Sequence, residues 1–230
     1  MSRLVLFDID GTILSSNGAA PRAFREALRQ VYGTAGPMRG YSFAGRTDPQ
    51  IARDLMRMEG LEDRVIDEGF DQLWNLYTLF LREELRTTGA SVYPGVIEIL
   101  ARFDDSPEGP VLGLLTGNVE PGARLKLNAA GIDFERFRVG AFGSDHADRR
   151  ELPRIALERA HLRLGRIFEG KAVVIVGDTP FDISCGEHLG VRTIAVATGS
   201  YPADQLAACN PDHLFHDLSD TASVWRAITS

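Results

Sequence analysis

Two aspartates two residues apart, Asp8 and Asp10, follow the apolar run Leu4-Val5-Leu6-Phe7 and precede Gly11-Thr12. An apolar run without alternation reads as a strand buried on both faces, as in a parallel sheet covered by helices. On an extended segment side chains at i and i+2 point the same way, so both carboxylates converge just beyond the strand's carboxyl end, where open α/β sheets bind ligands. Two adjacent carboxylates repel unless a positive charge sits between them. A divalent cation with one Asp left free for chemistry is the economical arrangement, and hard oxygen donors favour Mg2+.

Two further apolar runs end in the same way. Val111-Leu112-Gly113-Leu114-Leu115 leads into Thr116-Gly117-Asn118, and Ala172-Val173-Val174-Ile175-Val176 leads into Gly177-Asp178-Thr179-Pro180-Phe181-Asp182. Each ending taken alone is an ordinary strand-to-helix turn with a capping residue. Brought side by side in a doubly wound sheet, the three would share one pocket.

The elements that must position these residues alternate. Beyond Tyr93-Pro94-Gly95, helical spacing covers Val96 to Phe103, Ala123 to Ala130 and Pro153 to Ala160. Strands are expected at Val139 to Phe142, Thr193 to Ala197 and His213 to Phe215. Strands separated by helices imply a parallel sheet with right-handed crossovers. Residues 15–90 differ: a helix entered through Pro21 carries Phe24, Ala27, Leu28 and Val31, and glycines between Gly33 and Gly40 break it. Another helix opens at Thr47-Asp48-Pro49 with Ile51, Leu55 and Met58 on one face. A third, Asp67 to Arg86, carries Phe70, Leu73, Trp74, Tyr77, Phe80 and Leu81. This all-helical stretch reads as an insertion after the first strand, giving an α/β core of 1–14 and 91–230 and a helical domain of 15–90. Trp74, Tyr77 and Phe80, at helical spacing, are assigned to the core of that insertion.

With 230 residues, 44% hydrophobic and 25% charged, the chain has the composition of a globular protein. A formal charge of -7 without a basic run argues against nucleic acid. It also requires that an anionic ligand be drawn in by local features. Two cysteines, Cys185 and Cys209, without metal-type spacing fit reduced thiols. No stretch reaches the about 18 apolar residues of a membrane span, and the expected location is cytoplasmic.

The three endings, in this order, resemble the signature of the haloacid dehalogenase-like hydrolase superfamily, and within it phosphoglycolate phosphatase-like members with a helical cap. The resemblance covers nearly the whole chain and implies a Rossmann-like core with an inserted α-helical cap domain. It implies Asp8 as a nucleophile that forms an aspartyl-phosphate and Asp10 as the general acid and base. Mg2+ would be held by Asp8, the backbone carbonyl of Asp10, and Asp178, with Asp182 orienting metal-bound water. Thr116 would bond a phosphoryl oxygen, and backbone around Gly11, Thr12, Gly117 and Asn118 would hold the others.

The third family motif departs from the pattern. Its usual Lys is absent, and Asp148-Arg149-Arg150-Glu151-Leu152-Pro153 stands in its place. An Arg supplies the positive charge as a planar fork; Arg149 is favoured over Arg150, with Lys171 a weaker candidate at the wrong end of its strand. Arg46, in the glycine-marked loop before the second cap helix, is a candidate substrate contact or else a surface partner of Asp48. The expected function is a Mg2+-dependent phosphatase acting on a small phosphorylated metabolite, phosphoglycolate by default, as a monomer or homodimer. A phosphomutase of the β-phosphoglucomutase type and a degenerate binding protein are the alternatives.

Overall fold

The computed structural model describes residues 3–106 and 108–230. Six parallel strands form the sheet: β1 (Leu4–Phe7), β4 (Val111–Thr116), β5 (Val139–Phe142), β6 (Val173–Gly177), β7 (Arg192–Val196) and β8 (His213–Phe215). Their spatial order is β5-β4-β1-β6-β7-β8. β1 lies centrally, with Leu4 opposite Val111 on one side and Val173 on the other. The chain therefore winds outward from β1 in both directions, and the switch point falls at the carboxyl end of β1 between those of β4 and β6.

Strand alternation decides which residues fill each face. Val5 and Phe7 pack beneath α4 (Val96–Asp104), α5 (Glu120–Ala129) and α9 (Thr221–Thr229), with Ile99, Leu127 and Val224 in the same cluster. Leu4 and Leu6 point the other way, against Leu152, Ala156 and Ala160 of α6 (Leu152–Leu164). With both faces covered, the strands can be apolar at every position, which is why β1, β4 and β6 read as unbroken runs.

Residues between β1 and α4 form a separate apolar cluster built from α1 (Ala19–Tyr32), α2 (Asp48–Met58) and α3 (Asp63–Thr88). Phe24 sits edge-on to Tyr77, centroids 5.3 Å apart, and stacks on Trp74 at 6.2 Å. α3 starts earlier than the spacing of its apolar residues suggests, and its polar first turns are tied by ion pairs of Asp63 with Arg57 and of Asp67 with Arg53. The connections to this helical layer are not simple loops. Leu14–Ser15 (β2) and Ser91–Val92 (β3) pair antiparallel, and Asn17 donates to Thr88 O at 3.3 Å and Ser91 Oγ at 3.1 Å. Two-residue strands carry too little pattern to be legible in sequence. The short α8 (Ala203–Ala207) and α9 likewise fall where the sequence reading assigns no element. No helix among the described residues is long and apolar enough to cross a membrane.

Candidate active site

Asp8 is the first residue past β1, anchored by its N–H to Val176 O at 2.9 Å, so its carboxylate rises from the centre of the sheet. Thr116 closes β4, and Asp178 follows β6 directly. Oxygens of Asp8, Asp178 and Asp182 lie within 4.8 Å of one another, all three side chains buried. Burial pushes Asp8 upward from the usual carboxylate range, against the pull of Arg149. Burial also pushes Asp178 up, reinforced by Asp182 and Asp8 and opposed by a Thr12 hydroxyl bond of 3.1 Å.

Arg149 opens a 3-10 turn, Arg149–Glu151, whose first N–H groups are capped by Asp148. Its guanidinium reaches under the sheet ends, donating to Asp8 Oδ1 at 3.0 Å and Asp182 Oδ1 at 2.5 Å. Burial opposes charge on Arg149, but Asp182 and then Asp8 outweigh it and hold the guanidinium above its ordinary range. Arg150, in contrast, is 75% exposed and bound to Asp148. That candidate is corrected: adjacent residues on a tight turn diverge, and only Arg149 faces inward. Lys171 pairs with Asp212 at the opposite end of the sheet.

Asp182 is oriented by a capping box at α7 (Pro180–Ser184). Its Oδ2 accepts from Thr179 N at 3.0 Å and Thr179 Oγ1 at 2.6 Å, while Oδ1 takes Arg149. Both oxygens are thus engaged, and the role visible for Asp182 is to hold Arg149. Thr12 is corrected too. Fully buried and outside the pocket lining, it orients Asp178 and does not face a ligand.

The donor set fits a hard cation. Asp178 makes no direct ion pair among the described residues, with Arg149 acting on it only at longer range, and its carboxylate is cradled so closely that a Cβ on Gly11 would lie 2.3 Å and one on Gly199 1.7 Å from its Oδ2. A buried carboxylate without a directly paired cation is costly. Asp8 and Asp178 would hold the ion from oxygen donors alone, the chemistry that suits Mg2+.

Asp10 turns away from this cluster. Its Oδ2 accepts from Asn118 Nδ2 at 2.7 Å and from Lys126 Nζ at 2.6 Å, and Lys126 also donates to Asn118 Oδ1 at 2.5 Å. Asn118 is held by Thr116 Oγ1 at 2.7 Å. Lys126 escaped the sequence reading, although a signal was present. Gly122, Ala123, Lys126 and Leu127 are the buried positions of α5, and a lysine in that register needs a partner.

Residues of the helical layer complete the pocket lining, and the pocket volume is about 390 Å3. The start of α2 sits on the core: Asp48 N donates to Gly117 O at 2.8 Å, Val119 N to Asp48 Oδ2 at 2.9 Å, and Thr47 Oγ1 to Ala147 O at 2.6 Å. Gly117 is obligatory there, since a Cβ would stand 2.0 Å from Arg46 O. Burial raises Asp48 to about 6, opposed by Lys126 and the Val119 N–H. Arg46 lines the pocket and pairs with Asp54, not Asp48, at 3.1 Å, while lying 5.3 Å from the Tyr41 ring centroid. Gly11, Thr116, Gly117 and Asn118 also line it, as do Thr198, Gly199 and Ser200, which no sequence pattern singled out. Tyr77 belongs to the cap core and reaches the pocket as well.

The arrangement can attack an electrophile with Asp8, steady anionic charge with Arg149 and move a proton through Asp10. Known proteins show the same combination of sequence and fold. The chain is 28% identical over 230 residues to a protein of Dickeya dadantii (strain 3937) named "Probable phosphatase IndB", covering 99% of this chain and 95% of that one. It is 26% identical to a phosphoglycolate phosphatase of Rhodobacter capsulatus, covering 95% and 94%. A hydrolase from Pseudomonas syringae superposes over 100% of both chains with a TM-score of 0.74 at 19% identity, a likeness of fold. The profile of one family, haloacid dehalogenase-like hydrolases, matches residues 5–196, and the chain belongs to that family.

Proposed function

We propose that this hydrolase is a Mg2+-dependent phosphomonoesterase. The observation that carries the reading is the meeting of Asp8, Asp178, Thr116 and Arg149 at one pocket floor, with Asp10 held beside them. Asp8, paired to Arg149, attacks phosphorus in line and forms an aspartyl-phosphate, displacing an alkoxide. Asp10, set on the leaving-group side by Asn118 and Lys126, protonates that oxygen and then takes a proton from the water that cleaves the acyl phosphate. Thr116 and Arg149 meet the phosphoryl oxygens. Asp8 and Asp178, with the Asp10 backbone carbonyl, would hold Mg2+, which would supply the charge neutralisation that lets an anionic nucleophile meet an anionic substrate.

The helical layer, residues 15–90, acts in this reading as a cap that closes over the pocket and excludes water during phosphoenzyme formation. The β2–β3 pair forms its hinge, and the contacts of Thr47 and Asp48 with the core form its latch. Relatives named phosphoglycolate phosphatase support the small-metabolite reading. The test is phosphate release from a panel of phosphomonoesters with Mg2+ or EDTA, for wild type and Asp8→Asn. Metal-dependent release that the variant loses to below a few per cent is expected. Undiminished release by Asp8→Asn would remove Asp8 as nucleophile, and transfer of the phosphoryl group to a second substrate hydroxyl would point to a mutase.

A further inference from the structure

The chemistry of the pocket wall narrows the leaving group. Three cationic side chains line the pocket, Arg46, Lys126 and Arg149. Each already has a carboxylate: Asp54 for Arg46, Asp10 for Lys126, and Asp8 with Asp182 for Arg149. Asp48 adds another carboxylate to the same lining. A leaving group bearing its own carboxylate, as in 2-phosphoglycolate, would meet on the cap side only Arg46, whose charge is already offset by Asp54. It would be desolvated beside Asp48, at a cost that a buried charge without a partner always carries.

The helical layer contributes an apolar set to the pocket lining, Ala20, Pro21, Phe24, Phe43, Ile51 and Tyr77. A cavity of about 150 Å3 lined by such residues holds benzene; the 390 Å3 here leaves room for a ring-sized body beyond the phosphoryl group. One polar atom in that wall is unused. Tyr77 is 1% exposed, its ring edge-on to Phe24 and lying over Gly122, where an added Cβ would come within 3.3 Å of it. Its hydroxyl has no hydrogen-bond partner among the described residues. It is not among the polar atoms sealed from solvent without a partner, so it opens onto the pocket, where a hydrogen-bonding group of a ligand can replace water.

We infer that the substrate is the phosphate monoester of an uncharged alcohol with an apolar, ring-sized body carrying one hydrogen-bonding group that meets Tyr77. This rests on the phosphomonoesterase reading and replaces phosphoglycolate as the leaving-group class. Tyr77 is then a specificity residue, the apolar wall sets the size limit, and the cap contributes both.

The experiment compares kcat/KM for 2-phenylethyl phosphate, 2-(4-hydroxyphenyl)ethyl phosphate and 2-phosphoglycolate, with Mg2+, for wild type, Tyr77→Phe and Phe43→Ala. Wild type should favour both ring esters over 2-phosphoglycolate by at least about tenfold. The hydroxyl-bearing ester should exceed its parent, and Tyr77→Phe should collapse that ratio toward one, chiefly through KM, by about tenfold. Phe43→Ala should lower the preference for the ring esters over 2-phosphoglycolate. Equal or greater use of 2-phosphoglycolate overturns the inference while leaving the phosphatase reading intact, as does a hydroxyl preference that Tyr77→Phe does not alter. If wild type releases phosphate from none of the three, nor from p-nitrophenyl phosphate, the phosphatase reading itself fails and the inference with it.

Discussion

Lys126→Met tests the contribution of a charge that reaches the chemistry chiefly through Asp10. Methionine keeps most of the stem within the buried register of α5 and removes the ammonium that bonds Asp10 Oδ2 at 2.6 Å. A hydrogen bond between charged groups contributes about 1.5–3 kcal/mol. Asp10 is 41% exposed, so solvent and the remaining Asn118 amide offset part of the loss. The low end applies, about 1.5 kcal/mol, or roughly tenfold in rate. The loss should depend on the leaving group. An alkoxide needs the proton that Asp10 delivers, whereas p-nitrophenolate departs without it. Initial-rate kinetics should therefore show kcat/KM falling about tenfold for 2-phenylethyl phosphate and within about twofold of wild type for p-nitrophenyl phosphate. Equal losses on both esters would refute the argument, because the lysine would then act on binding or folding and not on proton delivery. No loss on either would show that Asn118 alone suffices to place Asp10.

Arg149→Met strands Asp8 and Asp182 as buried carboxylates without their cation. That removal should cost about 3–5 kcal/mol, which lowers the metal-free Tm by about 6–20 °C for a chain of this size. Arg150→Ala should leave stability and activity near wild type, since its guanidinium is exposed and pairs with Asp148 at the surface; a large loss there would reverse the assignment between the two arginines. Asp48 is raised to about 6 in the folded chain, mainly by burial, with Lys126 and Asp10 its charged neighbours. The folded state thus binds that proton more tightly than the unfolded one, and the associated stability is present at low pH and lost as pH rises through about 6. Asp48→Asn should have a higher Tm than wild type at pH 8 and no advantage at pH 4; a difference constant with pH would contradict this origin. Gly199→Ala places a Cβ 1.7 Å from Asp178 Oδ2 and must move that carboxylate. The Mg2+ concentration giving half-maximal activity should rise about 10–100-fold, and an unchanged metal requirement would exclude Asp178 as a ligand.

Much of this architecture is legible in one dimension because its cause is local. β1, β4 and β6 are buried on both faces, so each is written as an unbroken apolar run, and the polar residues at their ends mark where burial stops. Asp8 with Asp10, Thr116 with Asn118, and Asp178 with Asp182 are recognisable for that reason. The helical character of residues 19–88 follows from the 3.6-residue spacing of Phe24, Leu55, Leu73 and their neighbours. The choice between Arg149 and Arg150 rested on resemblance alone until the turn at 149–151 showed which side chain points inward.

Contacts between residues distant in sequence carry no such local mark. Lys126 lies 116 positions from Asp10, and its function in the pocket depends on how α5 leans across the end of β1. Asp48 is an ordinary first-turn helix residue until the cap seats it against Val119. Tyr77 obeys the helical spacing of a core residue, and only the packing of the helical layer on the sheet places it in the pocket lining. Asp182 is a capping residue by sequence, and the fold sets its second oxygen against Arg149. Periodicity and chain-local sterics therefore determined the main strands, the main helices and their polar endings. Long-range packing, which juxtaposes side chains that no spacing rule connects, decided which charges are paired and which side chains line the pocket.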